Sequence, residues 1–154
     1  MYIIDIFLGI IIGTSFAFDI FWGIIPNYVL IAGYAGIVPI MYGIFGWIGI
    51  LRVTARILIF MVVLFIVYLV GGIGAGDVKL LSLICGVLGF GTGIKFLALV
   101  FAIGGGLGFV KLLVRISDHI EKREKITWGK TGIKFSIPVL AGYLVMLLLK
   151  GGTV

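Results

Sequence analysis

Two aspartates of this 154-residue sequence lie in apolar surroundings, each beside a predicted break in a helix. Asp19 precedes Pro26 and Asn27 by about two helical turns, and Asp77 ends the stretch GGIGAGD. A charged Asp at the centre of a membrane helix costs roughly 2.5 to 3.5 kcal/mol, so such residues are candidates for function. Two neighbouring carboxyl groups do not readily both ionise, so one can activate water while the protonated one hydrogen-bonds a scissile carbonyl. The pair could hydrolyse a peptide bond without a metal ion or bound cofactor.

A structural interpretation of the same aspartates is also open. Asp77 can cap a helix that begins at Val78, and Asp19 can extend to the membrane interface. Composition and placement alone do not decide between this interpretation and catalysis. Asp5 lies at the start of the first predicted helix, where it favours the helix dipole and has a structural explanation.

Motifs for other chemistries are incomplete. GKT at 129–131 has Glu124 where a P-loop requires its first glycine, and the sequence contains neither G-x-S-x-G nor H-E-x-x-H. His119 stands beside Asp118 in a charged segment and is interpreted as a surface residue. Cys85 is the only cysteine, so it can form no internal disulfide and is predicted to be a buried thiol.

The composition that must position these residues is that of an integral membrane protein. The chain is 62% hydrophobic and 12% charged, with a mean hydropathy of +1.36, whereas soluble domains have about 25% charged residues. We expect an all-α polytopic transmembrane bundle of about six helices, forming a single domain over 1–154. The first apolar stretch lacks a basic segment and a cleavage site, so it is interpreted as a retained helix. Helices are predicted at 2–23, 28–49, 53–71, 77–90, 95–116 and 134–150.

The net charge of +6 is concentrated in the segment 111–134. Because cytoplasmic loops attract Lys and Arg, this segment is predicted to face the cytoplasm, and nucleic acid is not expected as a partner. The amino terminus then faces outside, and the connections at 23–27 and 72–77 face the cytoplasm. This topology places Asp19 and Asp77 near the same membrane face.

Three stretches together resemble the type IV prepilin peptidase family, which includes the archaeal preflagellin peptidases. FDIFWGIIPN at 18–27 resembles the family's D…IPN signature, and GAGDVKL at 74–80 resembles its GxGDxK signature. KFSIPVLAGYL at 134–144 is similar to the family's final helix. The three matches occur in the family's order and extend over nearly the whole chain.

This resemblance implies a GxGD-type intramembrane aspartic endopeptidase in the cytoplasmic membrane, with its active site facing the cytoplasm. Its substrates would be pilin-like precursors, cut between a short basic leader and an apolar helix. Asp19 and Asp77 would be the catalytic residues. The other motif residues would support them: Gly74, Gly76, Lys79, Pro26 and Asn27.

The sequence also departs from parts of the family pattern. Larger bacterial members carry an amino-terminal segment with paired CxxC cysteines and also methylate the mature pilin, whereas this chain resembles the short form found in tight-adherence pilus systems. No basic residue follows Asp19 within IFWGIIPN, although relatives often have one there. The GxGD motif is shared with presenilin-like proteases, which are longer and place Tyr before the first Asp.

Two other classes of function fit some of these features. A small proton- or ion-coupled carrier would also use intramembrane acids and broken helices, although carriers hold their sites near the midplane. A non-catalytic scaffold would leave the two acids unexplained. Pairs of glycines at small-xxx-small spacing are compatible with a homo-oligomer and equally with packing inside one chain.

Overall fold

The computed structural model describes the backbone of residues 2–122 and 135–151, and side chains over 2–110 and 135–149. The described residues form helices joined by short connections. This confirms the predicted all-α class. The helices are α1 (Tyr2–Trp22), α2 (Asn27–Leu69), α3 (Ala75–Leu88), α4 (Phe90–Lys122) and α5 (Ser136–Gly151).

The long helix α2 is interrupted at Gly46, which has φ 63° and ψ −156°. Its first limb, residues 27–45, and its second limb, residues 47–69, pack against each other, and the hydroxyls of Tyr34 and Thr54 lie 2.7 Å apart. Because the two limbs are separate helical segments, the described residues contain six such segments, which agrees with the prediction of about six. The break was predicted at about 50–52 but lies earlier, where glycine tolerates a positive φ.

A second glycine joins α3 to α4 without a loop. Gly89 has φ 86°, and its carbonyl accepts a hydrogen bond of 2.7 Å from the amide of Gly93. A Cβ at Gly93 would lie 2.9 Å from the carbonyl oxygen of Cys85, so α4 crosses the end of α3 closely. For this reason α4 begins at Phe90 rather than at the predicted residue 95.

The helices pack in a ring in which α3 contacts α2 and α4, α4 contacts α5, and α5 returns to α1. The centre of the bundle is α3, where Leu81, Ile84 and Cys85 are completely buried. The Tyr143 hydroxyl on α5 donates a hydrogen bond of 2.5 Å to the carbonyl oxygen of Asp5 on α1. This contact fixes the end of the α1–α5 interface that lies away from Asp19.

The outer surface is apolar, as expected for contact with lipid. Large side chains such as Phe21, Trp47 and Leu69 are exposed on α1 and α2. Within the described chain, three helices are long and apolar enough to cross a membrane: Tyr2–Trp22, Asn27–Leu69 and Phe90–Val110.

Some glycines at the small-xxx-small positions face other helices of the chain. A Cβ at Gly9 would lie 3.8 Å from Tyr143, and a Cβ at Gly104 would lie 3.5 Å from Pro138, whereas Gly13 faces open space. Gly9 and Gly104 therefore lie where α5 packs against α1 and α4.

Candidate active site

Asp19 lies near the end of α1, half-buried, where the start of α5 meets it. The Ser136 hydroxyl donates a hydrogen bond to Asp19 Oδ2, although the two residues are 117 positions apart in the sequence. Only 1% of the Ser136 surface is exposed. The first residue of α5 therefore orients the carboxyl group of Asp19.

Asp77 lies in the first turn of α3, which begins at Ala75. The predicted cap at the start of a helix from Val78 is therefore wrong. Asp77 instead accepts a hydrogen bond from the backbone N–H of Gly74, the residue that precedes the helix. A Cβ at Gly74 would lie 2.9 Å from Asp77 Oδ2, so a side chain at this position would displace the carboxyl group.

The carboxyl groups of Asp19 and Asp77 interact as like charges. Asp77 lies between the candidate membrane spans rather than within one of them. Burial of its carboxyl group, followed by the negative charge of Asp19, raises the pKa of Asp77 to about 6, against the opposing effect of the Gly74 hydrogen bond. Asp77 therefore retains a proton under conditions in which an ordinary aspartate is ionised.

The IIPN and GAGDVK stretches pack together beside the two acids. Lys79 Nζ donates a hydrogen bond of 3.0 Å to Asn27 Oδ1. A Cβ at Gly76 would lie 3.3 Å from Cβ of Ile25, so the two segments are in close contact. Pro26 is extended at φ −69° and ψ 142°, and α2 starts at Asn27. Asn27, which has the residue type of a helix cap, is used here to bind Lys79.

A cleft of about 560 Å³ opens next to Asp77. One wall is the non-helical connection between α2 and α3, and the other is α4. Its volume falls within the range of roughly 300 to 1,000 Å³ that is usual for ligand sites. The site therefore combines two interacting carboxyl groups with space for a bound molecule.

The structure brings together the seven site residues predicted from the sequence. They come from α1, from the start of α2 and from the start of α3. It adds Ser136, which lies in the FSIP stretch. Nothing in the local sequence of this serine relates it to Asp19. The basic segment 111–134, with His119, lies outside the described side chains. The prediction that this segment faces the cytoplasm therefore rests on its sequence alone.

The fold and site define a helical membrane protein with paired carboxyl groups beside a cleft at one end of the bundle. A family model for the type IV leader peptidase family matches residues 6–109, which include both aspartates. The chain belongs to the type IV leader peptidase family, as its motifs predicted. It is therefore a membrane peptidase, and the family implies a pilin-like precursor as substrate. Searches of the curated proteins and of the solved structures found no significant match.

Proposed function

We propose that the protein is an aspartic endopeptidase that removes the short basic leader of type IV pilin-like precursors. Asp19 and Asp77 are the two catalytic residues, and the reaction takes place at the cytoplasmic face of the cell membrane. The observation that carries this proposal is the placement of two carboxyl groups from different helices at one cleft: Asp77 lines it, and Asp19 is bound by Ser136, next to the lining residue Phe135.

The environments of the two acids support different roles. Asp19 accepts a hydrogen bond from Ser136, which holds its carboxyl group in place with an oxygen acting as acceptor. Asp77 is buried and faces the charge of Asp19, and both conditions favour its protonated form. Asp19 is therefore the general base, and Asp77 is the acid.

In the proposed reaction a water molecule lies between the two carboxyl groups. Asp19 takes a proton from the water as the water oxygen attacks the scissile carbonyl carbon. At the same time Asp77 gives its proton to the carbonyl oxygen. The resulting neutral gem-diol collapses as the C–N bond breaks. The leaving nitrogen takes the proton held by Asp19, while a diol hydroxyl returns a proton to Asp77. The products are a carboxylic acid and an amine.

The location of the basic segment supports a cytoplasmic site. This segment ends at Lys134, two residues before Ser136, which contacts Asp19. The site therefore lies at the end of the bundle from which the basic segment enters α5. Since Lys and Arg favour the cytoplasmic side, a precursor whose basic leader stays inside would meet the two acids there.

The test is cleavage of a pilin-like precursor encoded near this gene, with purified protein in detergent or in vesicles. We expect Asp19→Asn and Asp77→Asn to be inactive, because each removes one proton-transfer group. Asp5→Asn is the matched control, since Asp5 is on α1 with Asp19 but at its opposite end. Cleavage by either Asn variant at the wild-type rate would contradict the two-carboxylate mechanism, and proton-coupled transport would then be tested.

A further inference from the structure

The cleft beside Asp77 has walls formed largely by backbone. On one side are Gly71, Gly72 and Gly74, and on the α4 side are Gly104 and Gly105, with Gly108 a turn further on. Gly71 has φ 80°, and a Cβ at Gly105 would contact nothing within 4 Å. The glycines at 71 and 105 therefore border open space.

The chemistry of these walls favours an uncharged polypeptide. Among the described residues that line the cleft, Asp77 is the only one with a charge, and Phe101 and Phe135 supply apolar surface. Glycine-lined surfaces admit the close approach of another backbone. A basic leader would find one carboxyl group here, and in the proposed reaction that group holds a proton.

We propose that this cleft, between residues 71–74 and the Gly104/Gly105/Gly108 face of α4, binds the apolar residues that follow the scissile bond of the precursor. The leader, with its basic residues, lies on the other side of the two aspartates. This proposal rests on the proposed function, because it takes Asp77 as the point at which the substrate is cut.

The geometry offers a matched pair of substitutions on one helix. Gly105 lines the cleft and Gly106 does not, yet a Cβ at either position meets nothing within 4 Å. Replacing Gly by Leu favours a helix equally at both positions, so the two variants differ mainly in whether the cleft is filled. We expect Gly105→Leu to lower kcat/KM by roughly tenfold or more, chiefly through KM, and Gly106→Leu to cleave as wild type does.

Substrate variants identify which side of the scissile bond is affected. Replacing large residues just after the cut by Ala should restore part of the activity of Gly105→Leu, because it frees space in the filled cleft. Neutralising leader residues should have the same effect on wild type and on Gly105→Leu, as expected for groups that are not in contact. Equal kcat/KM for Gly105→Leu and Gly106→Leu would overturn the proposal.

A cross-linking experiment covers the case in which Gly105→Leu does not fold. Gly105→Cys is combined with Asp19→Asn, which prevents turnover and lies outside the cleft lining. The native Cys85 is completely buried and does not compete. With a thiol oxidant added, which takes up the two electrons, we expect a disulfide with a precursor that carries one cysteine just after the cut, and none with Gly106→Cys. Preferential cross-linking to a cysteine in the leader would overturn the proposal.

Failure of this proposal can be distinguished from failure of the proposed function. If the single Asp19→Asn and Asp77→Asn variants are inactive but the cleft substitutions have no effect, the peptidase mechanism stands and the substrate lies elsewhere. If either Asn variant cuts, the mechanism itself fails, whatever the cleft binds.

Discussion

Replacing Ser136 by Ala should weaken catalysis by removing the hydroxyl that binds Asp19. In the structure this serine is buried, and its hydroxyl donates directly to Oδ2 of the proposed base. A hydrogen bond to a charged group contributes about 1.5 to 3 kcal/mol, which corresponds to a decrease in kcat of roughly 10- to 150-fold if the bond is needed in the transition state.

The assay is steady-state cleavage of a precursor by wild type and by Ser136→Ala, with kcat and KM determined separately. Without the donor, the Asp19 carboxyl group is no longer held in one orientation, so the loss should appear in kcat. KM should change little, because Ser136 is not among the residues lining the cleft. Ser136→Thr keeps a hydroxyl and should recover most of the rate.

Ser15→Ala provides the control for removing a buried hydroxyl. Ser15 lies on α1 four residues before Asp19, is completely buried, and has no hydrogen-bond partner within the part of the chain described. Its replacement should leave both kcat and KM unchanged. If Ser136→Ala lowered kcat no more than Ser15→Ala does, the Ser136 hydroxyl would not contribute to catalysis, and the positioning of Asp19 by Ser136 would be refuted.

Three further predictions follow from contacts at and near the site. Asp77 must be protonated to act as the acid, and its pKa is raised to about 6. The rate should therefore decrease by roughly tenfold per pH unit above that pH, and it should be insensitive to chelators. A rate that keeps rising to pH 9 would contradict this assignment. Lys79→Met should lower kcat by about two- to tenfold through loss of the 3.0 Å hydrogen bond to Asn27, while Lys79→Arg should retain more activity. Identical rates for the two variants would show that this hydrogen bond does not position the site. Gly86→Ala should lower the unfolding temperature in detergent, because its Cβ would lie 2.9 Å from a backbone nitrogen of α2. Such overpacking costs about 1 to 3 kcal/mol. Gly91→Ala, on an open face, should not lower the unfolding temperature.

Much of this arrangement was accessible from the sequence because it is encoded locally. Pro26 and the glycines before Asp77 interrupt apolar runs, and those interruptions place the two aspartates near helix ends. The motif residues are adjacent to these breaks, so their sequence positions already indicated that they would lie together.

Other features depended on contacts that no local pattern contains. The break in α2 occurs at Gly46, although Gly43 and Gly49 could also adopt a positive φ and Pro39 is a stronger helix breaker. Packing between the two limbs determines its position. The bond from Ser136 to Asp19 depends on α5 closing the ring against α1. Helix α3 starts at Ala75, before the predicted start, because the Asp77 carboxyl group binds the backbone N–H of Gly74, the residue that precedes the helix.

The closing contact between α5 and α1 has a consequence for the biogenesis of the protein. Ribosomes synthesise the chain from its amino terminus, so both aspartates are made long before Ser136. A nascent chain that ends within α4 contains the complete IPN and GxGD motifs but lacks the donor that holds Asp19. In the proposed mechanism, such a chain has an incompletely assembled catalytic centre, and full activity is reached only when the last helix has inserted and joined the first.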